Sequence, residues 1–295
     1  MVRVLFVNGF NRSGTTLVTA AATLAANATT LTVGQLARHL PSVERFLATA
    51  RNRPTAPDRG VDRLPVQDST PEEYGWLLHA RTGDFGFGAR TAQSGVLQAL
   101  VAELARGEDP VVVLKNPWDT GREQLLLDHF AGSQVLLVRR RLSAIEDSVE
   151  RAWSRMATST GYVRALMSDR RRAAELVARI INPGARREMI RTDRRRTRRA
   201  VLRLARGASK LPLDRVAFLS YDELRDDPRA AAAWAGHLLD PAAFGEAVAA
   251  LTFAEHHRAK GSILAWLIDR YWAYAWWRAR ASQRRAGILP APDRR

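Results

Sequence analysis

The chain has 295 residues, 46% of them hydrophobic, which is enough for a sizeable core and argues against a disordered chain. Its formal net charge of +16 comes almost entirely from arginine, so it is either an Arg-rich solvated surface or the footprint of a polyanionic partner: nucleotide, anionic lipid headgroup or acidic glycan. The absence of cysteine excludes a disulfide framework, a thiolate zinc site and a cysteine nucleophile, and no zinc-finger or RNA-binding signature points to nucleic acid.

Val2 to Val7 is predicted to be a buried strand, ended by Asn8-Gly9. The run is too short for a secretory signal core, and no stretch is long and charge-free enough to span a bilayer, so a cytoplasmic protein is expected. Gly9-Phe10-Asn11-Arg12-Ser13-Gly14-Thr15-Thr16-Leu17 follows, with a helix predicted from Thr15 to Ala26. A glycine turn that opens a helix presents backbone N–H groups to an anion, and Thr15 and Thr16 add hydroxyls. A nucleoside-triphosphate loop has Lys at the position of Thr15. Here the cation comes earlier, at Arg12.

Thr29 to Val33 reads as a second strand, and Arg51 to Thr70 as an exposed loop rich in Pro, Arg and Asp. Ser69-Thr70-Pro71-Glu72-Glu73 has the pattern of a helix start. A helix is predicted over Ser94 to Arg106. Buried strands are predicted at Val111–Leu114, Gln134–Val138 and Arg215–Ser220. Residues 151–210 form a helical, Arg-dense insert broken at Asn182-Pro183-Gly184. Short apolar strands alternating with helices imply an α/β fold, a central parallel sheet covered on both faces. Ligands in such folds sit beyond the carboxyl ends of the strands, where these runs carry their polar and basic residues. The whole chain, residues 1–295, is expected to be a single domain.

Arg12-Ser13-Gly14-Thr15-Thr16 after a strand resembles the 5′-phosphosulfate loop of sulfotransferases of the bacterial, P-loop-like type. Other segments match that family in order. Lys115-Asn116-Pro117 resembles its Lys-x-Pro segment. Leu137-Val138-Arg139-Arg140 with Ser148 resembles its 3′-phosphate site. Tyr221-Asp222-Glu223-Leu224 followed by Asp227-Pro228 resembles its Tyr-Glu-x-Leu…Asp-Pro segment, and Arg258-Ala259-Lys260-Gly261 its late basic loop. The resemblance implies a three-layer P-loop-like fold. It also implies 3′-phosphoadenosine 5′-phosphosulfate (PAPS) as sulfuryl donor, without a metal. Asn11, Arg12, Ser13, Gly14, Thr15 and Thr16 would hold the 5′ side of the donor. Arg140 and Ser148 would hold its 3′-phosphate, and Arg258, Lys260 and Gly261 would complete the site. Spacing to Ser148 favours Arg140 over Arg139.

Sulfuryl transfer puts growing charge on the leaving oxygen, for which Arg12 and Lys115 are the candidate cations. A base must take the acceptor proton. Family relatives often carry a Gly-Glu pair after the second strand, but here the pair is Gly34-Gln35, and Gln takes no proton. His39, Glu72 and Glu73 are the candidates, each with an ordinary structural alternative. The acceptor, a small molecule, glycan or lipid, is set by loops that differ among such enzymes. A P-loop small-molecule kinase and a non-catalytic polyanion-binding protein are the competing readings.

The C-terminal stretch, roughly 262–285, is an aromatic and basic helix with Trp266, Tyr271, Trp272, Tyr274, Trp276 and Trp277. Two placements suit it: aromatic face on the core and arginines in water, or peripheral contact with a membrane interface.

Overall fold

A computed structural model of the chain describes residues 2–61, 64–167, 169–251 and 262–289. Its centre is a five-stranded, all-parallel sheet in the order β2-β3-β1-β4-β5. The strands are β1 (Arg3–Asn8), β2 (Thr29–Thr30), β3 (Val111–Lys115), β4 (Gln134–Arg139) and β5 (Val216–Ser220). All but the two-residue edge strand β2 are short, mainly apolar runs, as strands covered on both faces require. Alternate residues feed two cores. Val4, Phe6, Val112, Leu114, Val135, Leu137, Val216 and Phe218 point to one face. Leu5, Val7, Val113, Leu136, Val138, Ala217 and Leu219 point to the other.

Between the first and third strands lie α1 (Thr15–Ala25), α2 (Val33–His39), α3 (Pro41–Arg51), α4 (Gly75–Thr82), α5 (Ala89–Gln93) and α6 (Val96–Leu104). Then come α7 (Glu123–His129) and α8 (Leu142–Met156). The Arg-dense insert is helical: α9 (Gly161–Leu166), α10 (Arg170–Ile181) and α11 (Pro183–Gly207). It breaks at the expected place, where the Asn182 side chain caps α11 and Pro183 takes its first position. The chain then forms α12 (Tyr221–Asp226), α13 (Pro228–Ala232), α14 (Pro241–Ala249) and α15 (Ile263–Arg285). No helix among the described residues is long and apolar enough to cross a membrane.

Two local expectations change. The Ser69-Thr70-Pro71-Glu72-Glu73 pattern does not start a helix, since α4 opens at Gly75. Ser69 and Thr70 close a turn, and the residues after them are captured by tertiary pairing: Pro71 bridges to Thr32 and Glu73 pairs alongside Lys115 of β3. The segment from Arg51 to Thr70 is not uniformly exposed. Arg59 is buried within it and ties the loop to the sheet.

β1 is the central strand, with β3 on one side and β4 on the other. The chain leaves β1 toward β2, returns to β3 and crosses to β4. The carboxyl ends of β1, β3 and β4 therefore flank the reversal of strand order, where α/β sheets open a ligand crevice.

Candidate active site

The loop from Gly9 to Gly14 joins β1 to α1 at that crevice. Two residues in it have left-handed backbones, Arg12 at φ 73° and Gly14 at φ 96°. A side chain at position 14 is ruled out twice. Its φ disfavours an L-residue, and a Cβ there would lie 2.2 Å from the Tyr221 ring. Ser13 N–H donates to the Phe10 carbonyl at 2.9 Å, and Gly9 N–H to the Thr120 hydroxyl at 3.0 Å. The loop is thereby fixed from both ends before any ligand arrives. No acid sits in the first turn of α1, so the positive end of its dipole is not neutralised locally.

Arg12 Nε donates to Ser148 Oγ on α8 at 3.0 Å. Arg140 follows the end of β4 and donates from Nη1 to the Arg12 carbonyl at 2.9 Å, while its guanidinium stacks 4.4 Å from the centre of the Tyr221 ring. Arg12, Arg140 and Ser148 thus form one cluster beside the loop. Arg139 goes elsewhere: it pairs with Asp269 of α15 at 3.2 Å and lies over Trp272. Burial pulls the Arg140 guanidinium below its ordinary pKa, with Tyr221 and Asp222 opposing the shift. Arg140 Nε and Ser13 Oγ are buried and find no hydrogen-bond partner among the described residues.

The opposite wall is built on β3. Lys115 is fully buried, and its Nζ donates to Thr16 Oγ1 at 2.8 Å and to Glu73 Oε1 at 2.5 Å. Arg59 reaches the same carboxylates, 3.5 Å from Glu72 and 3.5 Å from Glu73. Tyr162 of α9 donates its hydroxyl to Glu72 Oε2 at 2.6 Å. Two acids side by side cannot both keep their charge cheaply. Burial pushes Glu72 up to about 8, opposed by Arg59. Glu73 is held well below the usual carboxylate range: burial opposes its charge, but Lys115 and Arg59 outweigh it. At neutral pH Glu73 is therefore the ionised member of the pair.

Glu72 gives a pH signature. Its folded pKa of about 8 lies above the ~4.3 of an unfolded glutamate. Its contribution to stability is fully present below the unfolded value and is lost as pH rises through the folded one. Across that window the urea midpoint of the natural chain should fall relative to that of Glu72→Gln. Below and above the window the two profiles should run parallel. Profiles that stay parallel throughout would mean that Glu72 titrates like an exposed acid.

His39 closes α2 and lies 3.0 Å from Glu103 of α6. Leu104, next to Glu103, accepts from Thr29 at the start of β2, so His39 belongs to the end of the sheet away from the loop. Gln35 does not stand in for a base. It completes a capping box with Thr32 at the start of α2, its Oε1 accepting from Thr32 N–H at 2.8 Å. Asn11 lies exposed in the loop. Arg258, Lys260 and Gly261 lie outside the described residues.

A third polar group escaped the sequence reading. Asp119 is buried just beyond β3 and accepts from Tyr74 O–H, Phe87 N–H and Asn116 Nδ2. Asn8, the last residue of β1, donates to the Asp119 carbonyl and to Glu123 Oε1. Burial raises the pKa of both acids, that of Glu123 to about 7. The group locks the segment that holds Thr120 against Gly9, so it braces the loop from behind. Asp119 follows Lys115-Asn116-Pro117 in sequence, and that proximity was the available signal.

The sheet order and the strand–loop–helix entry place the chain in the P-loop-like α/β class. Its fold is that of sulfotransferases. It is similar to sulfotransferase STF9 from Mycobacterium avium, with a TM-score of 0.52 and 18% identity over 83% of this chain. The chain spans 66% of that protein's length. Sulfotransferase STF1 from Mycobacterium tuberculosis H37Rv is a further structural neighbour, at a TM-score of 0.47 and 15% identity over 93% of this chain and 77% of that one. No protein-family model and no curated protein matches the sequence.

Proposed function

We propose that this chain is a PAPS-dependent sulfotransferase that sulfates a hydroxyl or amine on a small-molecule, glycan or lipid acceptor. The observation that carries the reading is the cluster of Arg12, Arg140 and Ser148 against a preformed anion loop. Arg140 is a cation whose charge burial disfavours, with an unpartnered N–H. An anion at that point offsets the desolvation and supplies the missing acceptor. In this reading the donor brings two anionic groups to neighbouring parts of one cluster. The loop and the α1 N-terminus suit one, and Arg140 with Ser148 suits the other.

The donor supplies, when bound, an activated sulfuryl group. Arg12, Lys115 and the N–H groups at the start of α1 stabilise the negative charge that grows on the leaving oxygen. Lys115 is ready for this because Glu73 and Thr16 hold its ammonium in one position. Glu73 takes the proton from the acceptor. A carboxylate with so low a pKa is a weak base, and it suits a late proton transfer, when bond formation to sulfur has made the acceptor hydroxyl acidic. No group of three or more potential metal ligands occurs among the described residues, and the proposed roles call for none.

Calorimetric titration with 3′-phosphoadenosine 5′-phosphate (PAP), the desulfated product, tests the reading. Micromolar or tighter binding is expected, with 5′-AMP weaker because it lacks the 3′-phosphate. A preference for magnesium-ATP would turn the assignment to a kinase.

A further inference from the structure

The helix α15 has two apolar faces. One packs on the sheet through Ala265, Ile268, Trp272, Ala275, Trp276 and Ala279. Trp272 meets Phe10 of the loop and Trp276 meets Phe218 of β5. The other face carries Ile263, Trp266, Leu267, Tyr271, Tyr274 and Trp277, all exposed, Ile263 at 81% and Trp277 at 63%. Single exposed apolar residues are ordinary, but a continuous stripe of large ones along one helix marks a contact surface.

Charge decides what covers it. Arg270, Arg278 and Arg285 are exposed along the same stripe. The one acid of α15, Asp269, turns away to Arg139. The helix packed beside it, α11, has ten arginines against two acids. A second copy of this chain seated on the stripe would set arginine against arginine. An anionic bilayer offers the complement: headgroup phosphates for the guanidinium groups and the acyl boundary for Ile263, Leu267 and the indoles. The same helix is too polar to enter the bilayer as a span.

We propose that α15 seats this protein on an anionic lipid surface, with the helix lying in the plane of the interface. The inner face of α15 touches Phe10, so the surface would hold the crevice close to the membrane. The proposal does not rest on the sulfotransferase reading, because the stripe and its charges stand whatever the crevice binds.

Vesicle flotation with the full chain tests it, using phosphatidylcholine alone and phosphatidylcholine with phosphatidylserine. Binding is expected to the anionic vesicles only, to weaken with salt, and to shift tryptophan emission to the blue. A variant combining Trp266→Ser, Leu267→Ser, Tyr274→Ser and Trp277→Ser should bind at least about tenfold more weakly, since each interfacial apolar group contributes. Arg270→Glu with Arg278→Glu should also abolish anionic selectivity. Both variants change exposed residues, and unchanged circular dichroism certifies their fold. Absence of flotation by the natural chain overturns the proposal, as does flotation that the stripe variants leave intact. A concentration-dependent dimer lost in the stripe variant, without vesicle binding, would assign the face to a second copy instead.

Discussion

Glu73→Gln is expected to lower turnover by about 10²–10⁴-fold while leaving the affinity for PAP unchanged. The substitution keeps the length of the side chain and an oxygen to accept from Lys115, so the wall built on β3 survives. It removes the ability to take a proton, which sets the magnitude, together with the negative charge that pairs with Lys115 and Arg59, while the cations that stabilise the leaving oxygen stay in place. A structural role would show itself differently. If Glu73 only positioned Lys115, loosening it would weaken donor binding along with the rate, and Glu73→Gln would resemble Lys115→Ala in both. The split between rate and affinity therefore separates the two roles. The natural chain should show a rate that does not fall toward slightly acidic pH on account of this residue, since Lys115 and Arg59 keep Glu73 ionised there. A Glu73→Gln protein with nearly full turnover would remove the residue from proton transfer.

The parts of this site that could be read from the sequence are those whose meaning is local. Gly9 to Thr16 is contiguous, and a strand, a glycine turn and a helix N-terminus say what such a loop does. Lys115 and Arg140 were legible because each follows an apolar strand, and parallel strands bring their ends together. Between Arg139 and Arg140 the spacing to Ser148 only favoured the second; in the structure Arg140 reaches the loop and Arg139 pairs with Asp269. Arg59 was not legible. It lies in a segment whose composition signals exposure, and its burial comes from contacts with Glu72 and Glu73 that no periodicity announces. The same long-range pairing misled the reading of Glu72 and Glu73 as a helix start. The local pattern was a sound capping signal, but a backbone bridge to Lys115 outweighed it. In α15 aromatic residues occupy both faces, so periodicity could not tell which face the sheet would take. The structure gives Trp272 and Trp276 to the core and leaves Trp266 and Trp277 outside.

Arg140→Ala should weaken PAP binding by about 10- to 150-fold, the loss of one or two charge-assisted hydrogen bonds worth ~1.5–3 kcal/mol. The comparison with 5′-AMP gives that number its meaning. Arg140 also braces the loop through the Arg12 carbonyl, so its removal will cost some affinity for any nucleotide. If it holds the 3′-phosphate, Arg140→Ala must lose its preference for PAP over 5′-AMP. If it is only a brace, both ligands weaken equally and the preference survives. The partner test at Arg12 needs care, because its φ of 73° suits Asn far better than Ala. Arg12→Asn keeps the backbone of the loop and removes the cation. It should weaken both ligands, since both carry the 5′-phosphate, and change their ratio less than Arg140→Ala does, because on the 3′ side it removes only the contact that holds Ser148. Two variants a few ångströms apart would then report on the two anionic groups of one ligand. That pattern is what a donor with separate 5′ and 3′ anions produces, and a ligand with a single phosphate chain cannot reproduce it.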